Sequence, residues 1–285
     1  MNIEKPFYDY DKHGTNYAGY RRTDPRIERR VLEALSSAQT ILNVGSGTGS
    51  YEPKDRYVVA VEPSAVMRAQ RLTRRAVPAV NAWAEALPFD DEAFDAGMAM
   101  VTLHHWTDYR KGLQELRRVT RGNVVVLTFD PEALDSFWNA EYFPELVEAE
   151  RRRYPKPEEV LQALGGSGQI LPVPVPFDCI DGFQEAFYGR PEAFLVPEVR
   201  QAQSAWGFLE AGVEERLLCK LSDALKSGEW DRKYGNYRTM PTLSGALRLI
   251  VSQRCGGVVA NLGRKTDDTD AAFRQVRRCR NNPDT

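Results

Sequence analysis

Four short runs constrain this chain more than any other feature: Thr40-Ile41-Leu42-Asn43-Val44, Tyr57-Val58-Val59-Ala60-Val61, Ala96-Gly97-Met98-Ala99-Met100-Val101 and Val124-Val125-Val126-Leu127-Thr128-Phe129. A strand wetted on one face alternates apolar and polar residues. These runs are apolar at nearly every position, so both faces of each must be covered, as in a parallel sheet sandwiched by helices. Between the last two runs, Tyr109 to Arg118 carries Leu113 and Leu116 among charges and stops short of Gly122, which predicts a crossover helix. Ahead of the first run, Ile27, Val31, Leu32 and Leu35 recur at helical spacing up to Ser36-Ser37. The alternation predicts an α/β fold, a doubly wound and mostly parallel sheet with right-handed crossovers and a ligand crevice at the carboxyl ends of its strands.

Beyond Asp130-Pro131 the pattern turns helical, from Leu134 to Leu164 with an interruption at Tyr154-Pro155-Lys156-Pro157. The segment from Ile170 to Phe177 has prolines at 172, 174 and 176, which confines it to an edge or irregular position. Helical character resumes from Gly182 to Met240, and Leu247 to Val251 reads as a last strand. The expected organisation is a segment and helix covering the site (1–36), a core of 37–180 plus 241–263, a helical cap insertion before the last strand (181–240), and a charged tail (264–285) expected to be disordered.

Composition narrows the partners. Apolar residues make up 42% of the 285 positions and the formal net charge is -2. Neutralising phosphates leaves a basic footprint, so a small molecule is expected rather than a nucleic acid. No run of apolar residues is long enough to span a bilayer and the first residues lack a signal-peptide core, so a cytoplasmic protein without membrane contact, a monomer or homodimer, is expected. Cys179, Cys219, Cys255 and Cys279 form no CxxC pair, which suggests neither a disulfide framework nor a metal site.

The first strand delivers the chain into Gly45-Ser46-Gly47-Thr48-Gly49, a turn poor in side chains where a ligand can reach backbone amides. By itself this is as compatible with a tight structural turn as with a cofactor loop. Glu62 stands 17 residues after Gly45, at the end of the second strand, where doubly wound folds place an acid to accept both hydroxyls of a ribose. Ala84-Glu85-Ala86-Leu87-Pro88-Phe89 follows, and Asp95 opens the third run. From about Ile41 to Asp130 this series resembles the class I methyltransferases of the type-11 domain, which use S-adenosylmethionine (SAM) and are similar to the ubiquinone and menaquinone C-methyltransferases and many natural-product methyltransferases.

The resemblance implies a Rossmann-like core, SAM as cofactor, and transfer of a methyl group to a small organic acceptor through oxygen, nitrogen or carbon. It implies that Gly45, Ser46, Gly47, Thr48 and Gly49 hold the amino-acid and ribose portion of SAM, that Glu62 and the adjoining Pro63 meet the ribose, and that Ala84 and Glu85 border the adenine. Two departures stand out. Ala82-Trp83 replaces the usual Gly-Asp, so Trp83 either stacks on the adenine or packs in the core. Only a dozen positions, Pro53 among them, separate Gly45 from Tyr57, so the helix after the glycine loop is expected to shrink to about one turn.

Methyl transfer from a sulfonium is an in-line displacement that needs alignment first and, for some acceptors, a general base. Thr102-Leu103-His104-His105-Trp106 leaves its strand at the correct edge for the transfer site. The resemblance implies that this segment lines the SAM and substrate pocket, with Thr102 a cofactor contact; His104 and His105 are candidate proton acceptors or substrate contacts, or else hydrogen-bonded histidines at a strand end. Tyr17-Ala18-Gly19-Tyr20-Arg21 resembles family N-termini that fold over SAM, with Arg21, or Arg22 beside it, pairing with the carboxylate. Asp178 and Asp181 either face the acceptor or cap the first helix of the insertion, capping being favoured for Asp181. Trp138, Tyr142, Phe143, Phe187, Tyr188, Trp206 and Trp230 supply core and, in part, walls for an acceptor pocket. Two other readings stand beside the enzyme: a non-catalytic SAM-binding protein, and an NAD-dependent oxidoreductase, whose GxGxxG fingerprint is broken here by Ser50.

Overall fold

The computed structural model describes residues 17–74 and 76–254. The side chain of Tyr17, Cys255, Cys279 and the 264–285 tail lie outside the described residues.

Among the described residues, nine strands form two sheets. Strands β1 (Thr40–Val44), β2 (Tyr57–Val61), β3 (Ala79–Val80), β4 (Ala96–Met100), β5 (Val124–Phe129), β6 (Gly168–Pro172) and β9 (Leu247–Ser252) make a seven-stranded sheet in the order β3-β2-β1-β4-β5-β9-β6; β7 (Val175–Pro176) and β8 (Thr242–Leu243) pair apart from it. The first five strands run parallel, and β9 runs antiparallel to both β5 and β6. The apolar runs end within a residue of the strands they predicted. Every residue of β5 is buried, as a strand covered on both faces requires. β6 takes the edge next to β9, where Pro172 interrupts no interior ladder. The two-residue strand β3 was not predicted, because Ala79-Val80 is too short to show a period.

Helices cover the faces. In chain order they are α1 (Tyr17–Tyr20), α2 (Pro25–Leu35), α3 (Ala65–Thr73), α4 (Tyr109–Arg118), α5 (Asn139–Tyr142), α6 (Pro144–Arg151), α7 (Pro157–Ala163), α8 (Pro197–Gln201), α9 (Val213–Lys226) and α10 (Glu229–Tyr234). The starts of α2, α3 and α4 have local causes: the side chains of Asp24, Ser64 and Asp108 accept backbone amides of Arg26, Met67 and Lys111. The helical stretch expected from 134 to 164 is broken into α5, α6 and α7, because Pro144 and Pro157 each start a new helix.

Two packed cores result. One face of the sheet carries Leu113 and Leu116 of α4 against Val124 and Val126. The other carries α2 and a cluster of rings in which Trp138 meets Trp230 edge-on at 5.5 Å and Phe194 at 5.6 Å. The segment between β7 and β8 therefore shares one aromatic core with α5 and α6.

Candidate active site

The carboxyl ends of β1, β2, β3 and β4 open into one cleft, walled by the loops that leave them and holding about 1290 Å³ counted out to open solvent. The loop after β1 contributes Gly45, Ser46, Gly47, Thr48, Ser50 and Tyr51; the loop after β2 contributes Glu62, Pro63 and Ser64. Ala82, Trp83, Ala84 and Glu85 follow β3, and Val101, Thr102, His105 and Trp106 follow β4. Arg21 and Asp181 complete the wall from outside the sheet. Of the residues expected at the cofactor, all with described side chains line this cleft except Gly49.

The glycine loop is built by backbone geometry. Gly45, Gly47 and Gly49 adopt φ of +64°, +49° and +91°, a region in which a Cβ is strained. At Gly45 a Cβ would also stand 2.1 Å from Oγ1 of Thr102, so the loop and the end of β4 touch only because residue 45 has no side chain. Gly49 faces inward toward Glu52 and Arg71.

No helix follows the loop, not even the single turn expected. The chain passes from Tyr51, at φ +65°, through Pro53 directly into β2. A buried ion pair stands behind the loop instead. Arg71 of α3 is wholly buried, lies 3.0 Å from Glu52 at each of two nitrogen–oxygen contacts, and also donates to the carbonyl of Val77. Asn43 of β1 donates to the same Glu52 at 2.8 Å. Sequence reading missed this pair, since nothing local marks an arginine in an amphipathic helix as inward-facing.

Glu62 is buried at the centre of the cleft and accepts the amide of Gly47 at 2.8 Å on one carboxyl oxygen and that of Ser64 at 2.9 Å on the other. Burial raises its pKa, against the two amides, which favour the charged form. Each oxygen keeps a lone pair for a further donor, the geometry a vicinal diol needs.

Trp83 is 52% exposed at the mouth of the cleft, which excludes core packing and leaves a free ring face beside Ala84. Glu85 accepts the amide of Asp108 at 2.9 Å, tying the segment after β3 to the start of α4.

On the opposite side Arg21 donates through Nε to Asp181 at 2.6 Å, and Tyr51 donates to the other oxygen of Asp181 at 2.7 Å. Asp181 is not a helix cap, as had been favoured: no side chain caps the short helical turn that follows it. Asp181 is 1% exposed and lines the cleft. Asp178 does not face an acceptor either; it is exposed and paired with Arg26. Arg22 is exposed and outside the cleft.

The two histidines part company. His105 lines the cleft and is half-buried there, and desolvation, helped by Arg153 and Arg21, pushes its pKa well below the usual histidine value, so its ring is neutral. His104 lines a second, smaller cavity, where it lies 4.3 Å from the ring of Tyr154. Arg21 and Val101 belong to both cavities. Val101 takes φ +51°, rare for a β-branched residue, where the chain turns off β4 between the two spaces. The seven aromatics proposed in part for an acceptor pocket all lie in the buried core and none lines this second cavity, whose rings come from Phe129, Phe137, Tyr154 and Phe183.

A methyltransferase-domain family model matches residues 42–128. A demethylmenaquinone methyltransferase of Mycolicibacterium gilvum is 37% identical over 110 residues, 36% of this chain and 47% of that protein. A malonyl-[acyl-carrier protein] O-methyltransferase of Halorhodospira halophila is 28% identical over 141 residues, 44% of this chain and 48% of that protein. The chain spans about half the length of these curated relatives. A solved structure from Anabaena variabilis, named for a methyltransferase role in an antibiotic biosynthesis pathway, is 31% identical with a TM-score of 0.75, covering 82% of this chain and 99% of that one. The chain belongs to the SAM-dependent methyltransferases. Membership sets aside the oxidoreductase reading and makes SAM the cofactor of this methyltransferase. Among the described residues no helix is long and apolar enough to cross a membrane, and no cluster of His, Cys, Asp and Glu could hold a metal ion.

Proposed function

We propose that this methyltransferase transfers the methyl group of SAM to a small organic acceptor held in the second cavity. The observation that carries the reading is Glu62, buried between the amides of Gly47 and Ser64 with one lone pair left on each oxygen for the two ribose hydroxyls.

The other contacts follow from position. The backbone of Gly45 to Thr48 faces the amino-acid half, Pro63 flanks the ribose, and Ala84 and Glu85 border the adenine with Trp83 across its face. Arg21, oriented by Asp181, offers its guanidinium to the carboxylate. Thr102 and the neutral ring of His105 wall the end nearest the second cavity. A neutral imidazole there does not repel a sulfonium, as a protonated one would.

Bound SAM supplies an electrophilic methyl group on a cationic sulfur. The chain's contribution is alignment: Val101 and Arg21 border both spaces, so a nucleophile in the second cavity approaches the cleft from one fixed side. Phe137 and Phe183 shield it from water, and His104 with Tyr154 offers polar atoms near the junction. A cavity lined by α5, α6 and the segment after β7 suits a small molecule.

Calorimetric titration of SAM tests the cofactor half. Glu62→Ala should weaken binding by about 1–3 kcal/mol, the worth of hydrogen bonds to a charged group. Unchanged affinity in the folded variant would refute the assignment.

A further inference from the structure

The second cavity is lined by Phe129, Phe137 and Phe183 together with Arg21, Asn139, Glu150 and Glu185, and the last three carry buried oxygens without donors. Glu185, 2% exposed, docks one carboxyl oxygen on the amide of Ala246, which is reachable only because residue 245 is a glycine, and its other oxygen has no partner. Glu150 accepts Gln184 on one oxygen at 2.9 Å and has none on the other. The carbonyl oxygen of Asn139, itself 2% exposed, is also unpartnered. Three acceptor oxygens on residues lining one cavity thus lack donors, two of them on carboxyl groups. Burying such groups unpaired costs about 1–3 kcal/mol each, more when charged, unless an occupant supplies the missing hydrogens.

We propose that this cavity selects a compact amine as methyl acceptor, its N–H groups directed to Glu150 and Glu185 and its apolar body against Phe137 and Phe183; the proposal rests on the methyltransferase reading above. A hydroxyl brings one donor and no charge, whereas an ammonium brings up to three donors and a positive charge that both carboxylates and the ring faces favour. A carboxylate or phosphate ligand would meet repulsion from both acids, while the Arg21 guanidinium in the same lining is already paired with Asp181. Desolvation raises the pKa of both carboxyls, that of Glu185 to about 7, so Glu185 can take a proton from an arriving ammonium near neutral pH. The neutral nitrogen then forms a bond to the methyl carbon as the carbon–sulfur bond breaks. The electron pair of that bond stays on sulfur, which becomes a thioether, and the methylated nitrogen becomes an ammonium.

The test is calorimetric titration of the full chain saturated with S-adenosylhomocysteine. The probes are benzylamine and 2-phenylethylamine, each with its matched alcohol and carboxylate. At least one amine is expected to bind tenfold or more tightly than its alcohol, with no binding by the carboxylates. Glu150→Gln and Glu185→Gln should each weaken amine binding at least tenfold while leaving S-adenosylhomocysteine affinity unchanged, which verifies that the variants fold. Alcohols or carboxylates binding as well as the amines, no amine binding at all, or amine binding untouched in both variants would overturn the proposal. If S-adenosylhomocysteine itself fails to bind the unmodified protein, the functional reading falls first; if it binds and the amines do not, only this inference falls.

Discussion

Arg71 and Glu52 meet inside the protein directly behind the glycine loop, with the guanidinium wholly buried and each of two nitrogen–oxygen contacts at 3.0 Å. They occupy the level at which a helix after β1 was expected to stand. The chain is too short there to form that helix, and the ion pair, with Asn43 and the carbonyl of Val77, holds the loop against α3 instead.

Removing one partner leaves the other charge buried without compensation. Arg71→Met is expected to lower unfolding stability by about 3–5 kcal/mol in urea titration. Combining Arg71→Met with Glu52→Leu should cost clearly less than the sum of the single changes, because the stranded charge is gone as well. Additive losses would mean the two residues do not act as a pair.

Gly45 and Thr102 make a second dependent pair. Gly45→Ala should reduce SAM affinity at least tenfold, about 1.4 kcal/mol, since the new methyl group collides with Oγ1 of Thr102 at a positive φ. Adding Thr102→Ala relieves the collision but not the backbone strain, so titration should show recovery of part of the loss. Full recovery would show that φ at position 45 carries no penalty.

Glu185 gives a pH signature. Its carboxyl keeps a proton up to about pH 7 in the folded chain and loses it near 4.5 when unfolded. Between these values the folded state binds more protons, so the group's contribution to stability declines as pH rises from 4.5 to 7, on the order of 3 kcal/mol in all. Subtracting the stability profile of Glu185→Gln from that of the unmodified protein should isolate this slope. A flat difference would mean that the carboxyl titrates normally.

His105 has the opposite sign. Its folded pKa lies well below 6.5, so below pH 6.5 the unfolded chain takes up a proton that the folded one refuses, and stability is lost as pH falls. Imidazole carbon-bound proton shifts of His105 in NMR spectra should stay constant from pH 8 to 5.5. A titration midpoint near 6.5 would contradict the neutral ring.

Much of this architecture was determined by sequence alone. Uninterrupted apolar runs can be satisfied only by strands covered on both sides, so β1, β2, β4, β5 and β9 and the crossover α4 were readable from local pattern, as were the glycine loop and the position of Glu62. Those features depend on neighbours a few residues away. What only the tertiary structure decided depends on contacts across long stretches of chain. Asp181 turned from an expected cap into the partner of Arg21 and Tyr51, 160 and 130 residues away. His104 and His105, adjacent in sequence, were assigned to different cavities by the turn at Val101. Arg71 and Glu185 read as ordinary surface charges on a helix and a turn; their burial follows from which face the packed core covers, and no local periodicity carries that information.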